Sequence, residues 1–146
     1  MFQAIDMPEL LNETIERTIQ QASDNLHLIP ANKKLAGILS RLVSMQNTRA
    51  MFPNDNDGIA PEKVLSAIVE RLKTRYDYIL IDNSPAQTLV STNTLLASDL
   101  NIIPVKLDRK SIKGMIVSLK NTITIAKRNK KNVDLKVLFT MVSPRG

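Results

Sequence analysis

Tyr76-Asp77-Tyr78-Ile79-Leu80-Ile81-Asp82-Asn83-Ser84-Pro85 is the stretch on which the reading of this chain turns. A run of bulky apolar residues that stops at one acid, followed by small polar residues and a proline, predicts a buried parallel strand delivering a carboxylate to the sheet's carboxyl edge. Open α/β sheets bind ligands at that edge. In nucleotide-binding folds of this kind the acid holds Mg²⁺, usually through water, because a hard cation already bound to phosphates needs few but well-placed carboxylate oxygens. The plainer alternative is that Asp82 is an ordinary Asp capping the next helix. The stretch alone does not separate the two roles, since strands ending in an acid are common among α/β proteins.

Upstream, Ala60-Pro61-Glu62 opens a predicted helix with Val64, Leu65, Ile68 and Leu72 inward and Glu62, Lys63, Glu70, Arg71 and Lys73 toward water. Before it, residues 52–58 are polar and turn-rich and predict a loop, whose acids lack the spacing of a calcium-binding loop. Leu35, Ile38, Leu39 and Leu42 mark an amphipathic helix reaching about Arg49. Residues 25–30 predict a short strand. Pro8-Glu9-Leu10-Leu11 starts a helix with proline and acid in its first turn, and Leu11, Ile15 and Ile19 form its narrow apolar face. Residues 1–7 are expected to be unstructured.

Downstream, Ser84 is placed to cap a helix over 86–97 that carries Leu89, Val90, Leu95 and Leu96. Residues 99–105 predict a second buried strand, ended by Pro104, which cannot donate to a ladder. Lys106, Arg109, Lys110 and Lys113 crowd the entry of the next helix, where a solvated face is the simplest reading. Ile112, Ile116, Leu119, Ile123 and Ala126 recur along that helix. Its closing run Lys127-Arg128-Asn129-Lys130-Lys131 complements the C-terminal dipole, which explains those charges without nucleic acid. Residues 135–142 predict a last strand buried on both faces. Strands and helices alternating at these crossover lengths give an α/β fold, a mostly parallel sheet flanked by helices.

The 146 residues, 43% of them apolar, suffice for one domain over 1–146 with a real core. No apolar run is long enough to cross a bilayer and the start lacks a signal-peptide layout, so the expected location is cytoplasmic, away from any membrane. With no cysteine there are neither disulfides nor thiolate metal sites, and one histidine, His27, leaves almost nothing for zinc or for a histidine-dependent triad. His27 reads as a packed or edge histidine. A net charge of +6, from 20 basic and 14 acidic residues, favours anionic partners, nucleic acid among them. The 3% aromatic content and absence of Trp argue against stacking on single strands.

Five segments occur in a telling order: Asn25-Leu26-His27-Leu28-Ile29-Pro30-Ala31-Asn32 with Leu35-Ala36-Gly37; 76–82; Ala97-Ser98-Asp99-Leu100-Asn101-Ile102-Ile103-Pro104-Val105; Ile112-Lys113-Gly114-Met115; and Leu138-Phe139-Thr140-Met141 with Arg145. Together they resemble the middle of a ParA-type partitioning ATPase, of the ParA/MinD group of deviant P-loop proteins. That resemblance implies a P-loop NTPase-like fold, ATP and Mg²⁺ as ligands of the complete protein, a nucleotide-closed dimer that binds DNA non-specifically, and a ParB-like partner that stimulates hydrolysis. Carried onto this chain it assigns Asp82 to the Mg²⁺ and cofactor side, Thr140 to the neighbourhood of the base, and Arg145 to the DNA surface.

The chain departs from the family pattern in several places. No G-x-x-x-x-G-K-[ST] occurs and the glycines stand singly at 37, 58, 114 and 146, so neither a nest of backbone N–H groups nor a phosphate-holding lysine is present. The family's early DxDPQ-like motif is missing, and Asn83-Ser84-Pro85 keeps only the second proline of D-x-P-P. The expectation is therefore the central part of such an ATPase, lacking the N-terminal strand and P-loop, inactive alone, and prone to pair as a homodimer or through an open sheet edge. The alternative is a stand-alone, non-catalytic module that pairs with a complete ParA-like subunit. An unrelated receiver or Rossmann-type domain is disfavoured by the lack of G-x-G-x-x-G.

Overall fold

Residues four apart on a helix share one face, and the first helix, α1 (Pro8–Thr18), accordingly turns Leu11 and Ile15 inward, Leu11 to 1% exposure. The computed structural model describes residues 8–31, 35–51, 59–83 and 88–142. After α1 come strands β1 (Gln20–Ser23) and β2 (Leu26–Leu28), helix α2 (Leu35–Met51) and a 3₁₀ turn (Pro61–Lys63) running into α3 (Val64–Leu72). They are followed by α4 (Leu89–Ala97), β3 (Leu100–Lys106), α5 (Arg109–Arg128) and β4 (Asp134–Thr140). The expectations for residues 1–7, the 52–58 loop, the Ser84 cap and Arg145 fall outside the described residues.

Leu11 and Ile15 meet Leu72 of α3, and Ile19, Ile59, Ala67, Ile68, Tyr76 and Ile79 close around them. Helix α3 follows the apolar spacing of its sequence, with Leu72 and also Val69 buried, whereas Ile112, Ile116 and Ile123 of α5 are exposed. Helix α4 is buried from Asn93 to Ala97 and packs against α2, α3, the 3₁₀ turn and α5. Asn93 joins these pieces. Its Oδ1 accepts from the Leu65 N–H at 3.0 Å, and its Nδ2 donates to the carbonyls of Pro61 at 2.8 Å and Leu89 at 3.0 Å.

Strands β3 and β4 pair in parallel, in register from Leu100 opposite Asp134 to Lys106 opposite Thr140, and α5 forms the crossover between them. Asp108 caps α5, accepting from the Ser111 N–H at 2.8 Å and its hydroxyl at 2.7 Å. Those bonds, chiefly the one from the backbone N–H, hold the Asp108 carboxyl below its ordinary value. At the far end Lys130 takes a left-handed conformation (φ 51°) where the chain leaves the helix.

Three expectations need correction. First, 76–82 is not a buried parallel strand: it forms no ladder with any described residue, and Tyr78 and Leu80 are 87% and 93% exposed. Burial nevertheless alternates from Tyr78 to Asp82, with Ile79 and Ile81 half-buried, as in an extended chain that lacks a neighbour. Second, β3 and β4 are not covered on both faces. Ile102 and Leu138 lie more than half exposed, and Val105 alone is fully buried, because the described residues place helix on one side only. Pro104 sits inside β3 rather than ending it, so its missing N–H must fall on the side away from β4. Third, the 25–30 strand is shorter and pairs antiparallel with β1 in an exposed hairpin.

Truncating Asn93 strands a buried N–H and a buried carbonyl. Asn93→Ala should therefore lower stability by about 1–3 kcal/mol in urea unfolding. A change within a few tenths would mean that the link between α3 and α4 is not made.

Candidate functional site

The site begins where α3 ends. Lys73 pairs with Glu70 at 2.8 Å and reaches Asp99 at 3.8 Å, tying the entry of the 76–83 segment to the entry of β3. The hydrogen bond to Glu70, outweighing some desolvation, raises the Lys73 ammonium above its ordinary value, so it stays charged. Arg75 pairs with Glu16 of α1 and lies over the Tyr76 ring, 5.7 Å from its centroid. The His27 ring meets Tyr76 edge-on at 5.6 Å, which makes it an edge histidine of the hairpin. Tyr76 and Ile79 are thus anchored on the α1–α3 core.

Past Ile79 the support falls away. Asp82 is exposed at the end of the segment, without an ion pair or hydrogen bond among the described residues. Thr140 is half-buried at the carboxyl end of β4, opposite Lys106. The structure places each at the end of its own segment and makes no bond between them; Arg145 lies outside the described residues. A groove of about 270 Å³ among α2, α4 and α5 is lined by Val43, Leu89, Ile125 and Arg128, and by neither Asp82 nor Thr140.

Among the described residues no three His, Cys, Asp or Glu gather as a metal cluster. One carboxylate fits a Mg²⁺ ion held mainly by phosphates. The sequence contains no G-x-x-x-x-G-K-[ST] motif, whose glycine-rich loop and lysine hold those phosphates. Sequence reasoning missed Asn93, whose partners lie 28 and 32 residues away. An Asn in a Thr- and Ser-rich helix carries no local sign of such a role.

The described residues thus form a parallel β3–α5–β4 unit beside an extended apolar segment that ends in a solitary acid. A family profile described as an AAA domain matches residues 3–137, and the chain belongs to that family. It is similar to the sporulation initiation inhibitor protein Soj of Bacillus subtilis, 34% identical over 125 residues that make up 84% of this chain and 44% of Soj. It is also similar to the chromosome partitioning protein ParA of Myxococcus xanthus, 31% identical over 94% of this chain and 42% of that protein. The fold matches the crystal structure of a plasmid partition protein from Borrelia burgdorferi with a TM-score of 0.65 and 24% identity, covering all of this chain and 56% of that one. The chain is ParA-like over its matched length, and spans less than half of these curated relatives.

Tyr76 and Tyr78 are the two tyrosines and there is no Trp. In a Tyr76→Phe protein, acrylamide should quench the remaining Tyr78 fluorescence nearly as efficiently as that of a free tyrosine derivative. A shielded Tyr78 would mean that something covers the segment.

Proposed function

We propose that this chain is the central, single-domain part of a cytoplasmic ParA-type partitioning ATPase that separates plasmid or chromosome copies. In the complete protein ATP and Mg²⁺ close a dimer on DNA, and a ParB-like partner triggers release. The P-loop half holds the phosphates. Asp82 orients a water on the Mg²⁺ ion, Thr140 lines the base side, and Arg145 contacts DNA. The observation that carries this reading is the match of residues 3–137 to the AAA-domain family, together with the ParA-like order of segments ending in Asp82 and Thr140.

A second reading is favoured by the exposure of Tyr78, Leu80 and Ile102: a non-catalytic module that pairs with a complete ParA-like subunit through its open sheet. Purified chain alone should show no Mg²⁺-dependent ATP turnover under either reading. A chimera in which it replaces the matching segment of a complete ParA-type ATPase separates them. The first reading expects an active chimera that loses about tenfold or more of its activity on Asp82→Asn. A chimera whose turnover is indifferent to that substitution, or turnover by the chain alone, contradicts it.

A further inference from the structure

Helix α5 carries six basic residues and no acid in its 20 positions. At about 100° per residue, Arg109, Lys113, Lys120 and Lys127 fall within about 40° of one line, a row about 27 Å long. All four are exposed, and none forms an ion pair with a described residue. Lys110 and Arg128 flank the row, and Lys106 lies just before it at the end of β3.

Neither the helix dipole nor solubility accounts for this row. Cations in a last turn complement the dipole, which covers Lys127 and Arg128, but Arg109, Lys110 and Lys113 stand near the positive end, where the dipole disfavours them. A helix face kept merely soluble mixes charges of both signs. The acid nearest in sequence, Asp108, is engaged by Ser111 at the cap.

We infer that this row on α5 binds the phosphate backbone of double-stranded DNA. The inference deepens the partitioning reading and rests on it for the identity of the polyanion, but it assigns the contact to residues other than Arg145. Spacings of about 6 to 10 Å along a straight, rigid helix suit a stiff ladder of phosphates. A single strand gripped by stacking would need aromatic platforms, and α5 has none. An in-plane membrane helix needs its whole apolar face free. Here Met115 and Leu119 are half-buried and Ala126 is buried, although Ile116 and Ile123 stay exposed beside the row.

The test is fluorescence anisotropy of the 146-residue chain with a labelled duplex of arbitrary sequence, between about 50 and 200 mM salt. The triple variant Lys113→Gln, Lys120→Gln, Lys127→Gln should bind at least about tenfold more weakly, with a log–log salt slope shallower by about 2 to 3. A control of equal net charge, Arg17→Gln, Lys63→Gln, Lys136→Gln, should bind as the parent does, and circular dichroism checks that both variants stay folded. No duplex binding by the parent, or equal loss in the control, overturns the proposal. So does association with phosphatidylserine vesicles but not with duplex. If Arg145→Ala abolishes binding while the α5 variant retains it, the partitioning reading survives and this surface falls.

Discussion

An extended backbone needs a neighbour for its N–H and C=O groups, and on that requirement the rest of this molecule depends. Strands β3 and β4 meet it for each other along one edge. Beyond Tyr76, whose N–H donates to the Leu72 carbonyl at 3.2 Å, the 76–83 segment meets it with no described residue. Water can solvate the free amides, but it does nothing for Tyr78, Leu80, Ile102 and Leu138. Each Leu or Ile moved from water into apolar contact gains about 1.5–3 kcal/mol. A covering element would therefore gain several such contributions at once. Asn101 fits the same picture, since its side-chain Nδ2 is buried on β3 without a hydrogen-bond partner.

The same imbalance sets how the site is built. Its entry is well determined: Lys73 bridges toward Asp99, Arg75 pairs with Glu16, and Tyr76 packs on the helical core. Its exit, where Asp82 sits, leans on nothing among the described residues. A carboxylate that positions a metal-bound water has to be held to a fraction of an ångström by packed neighbours. The residue type is present, and no described residue holds it by a hydrogen bond or an ion pair. The chain spans 42–44% of the partitioning relatives it resembles.

What the sequence made legible was local. Leu11 and Ile15, four residues apart, and the turn-and-helix signal at Ala60-Pro61-Glu62 describe faces that a helix creates by itself, and the structure has them. The parallel β3–α5–β4 unit was likewise readable from two apolar runs and the crossover between them. Burial of the strands was not, because an apolar run states what it would like to touch and not whether that partner is present. Leu80 is the clearest case. Strand β1, Gln-Gln-Ala-Ser, has no alternating pattern and forms only because β2 lies beside it. Asp82 could be named as a candidate from its context, but its position depends on contacts that no local pattern encodes.

If 76–82 is a strand without a ladder, its amides from Asp77 to Asp82 have no partner among the described residues to shield them, and hydrogen exchange over 77–82 reads this out. In the isolated chain they should exchange near the unprotected rate, while the amides of α3 and those pairing β3 with β4 exchange far more slowly. Protection of 76–82 equal to that of β3 would show that the segment is already paired, and the missing neighbour would no longer explain its exposed side chains.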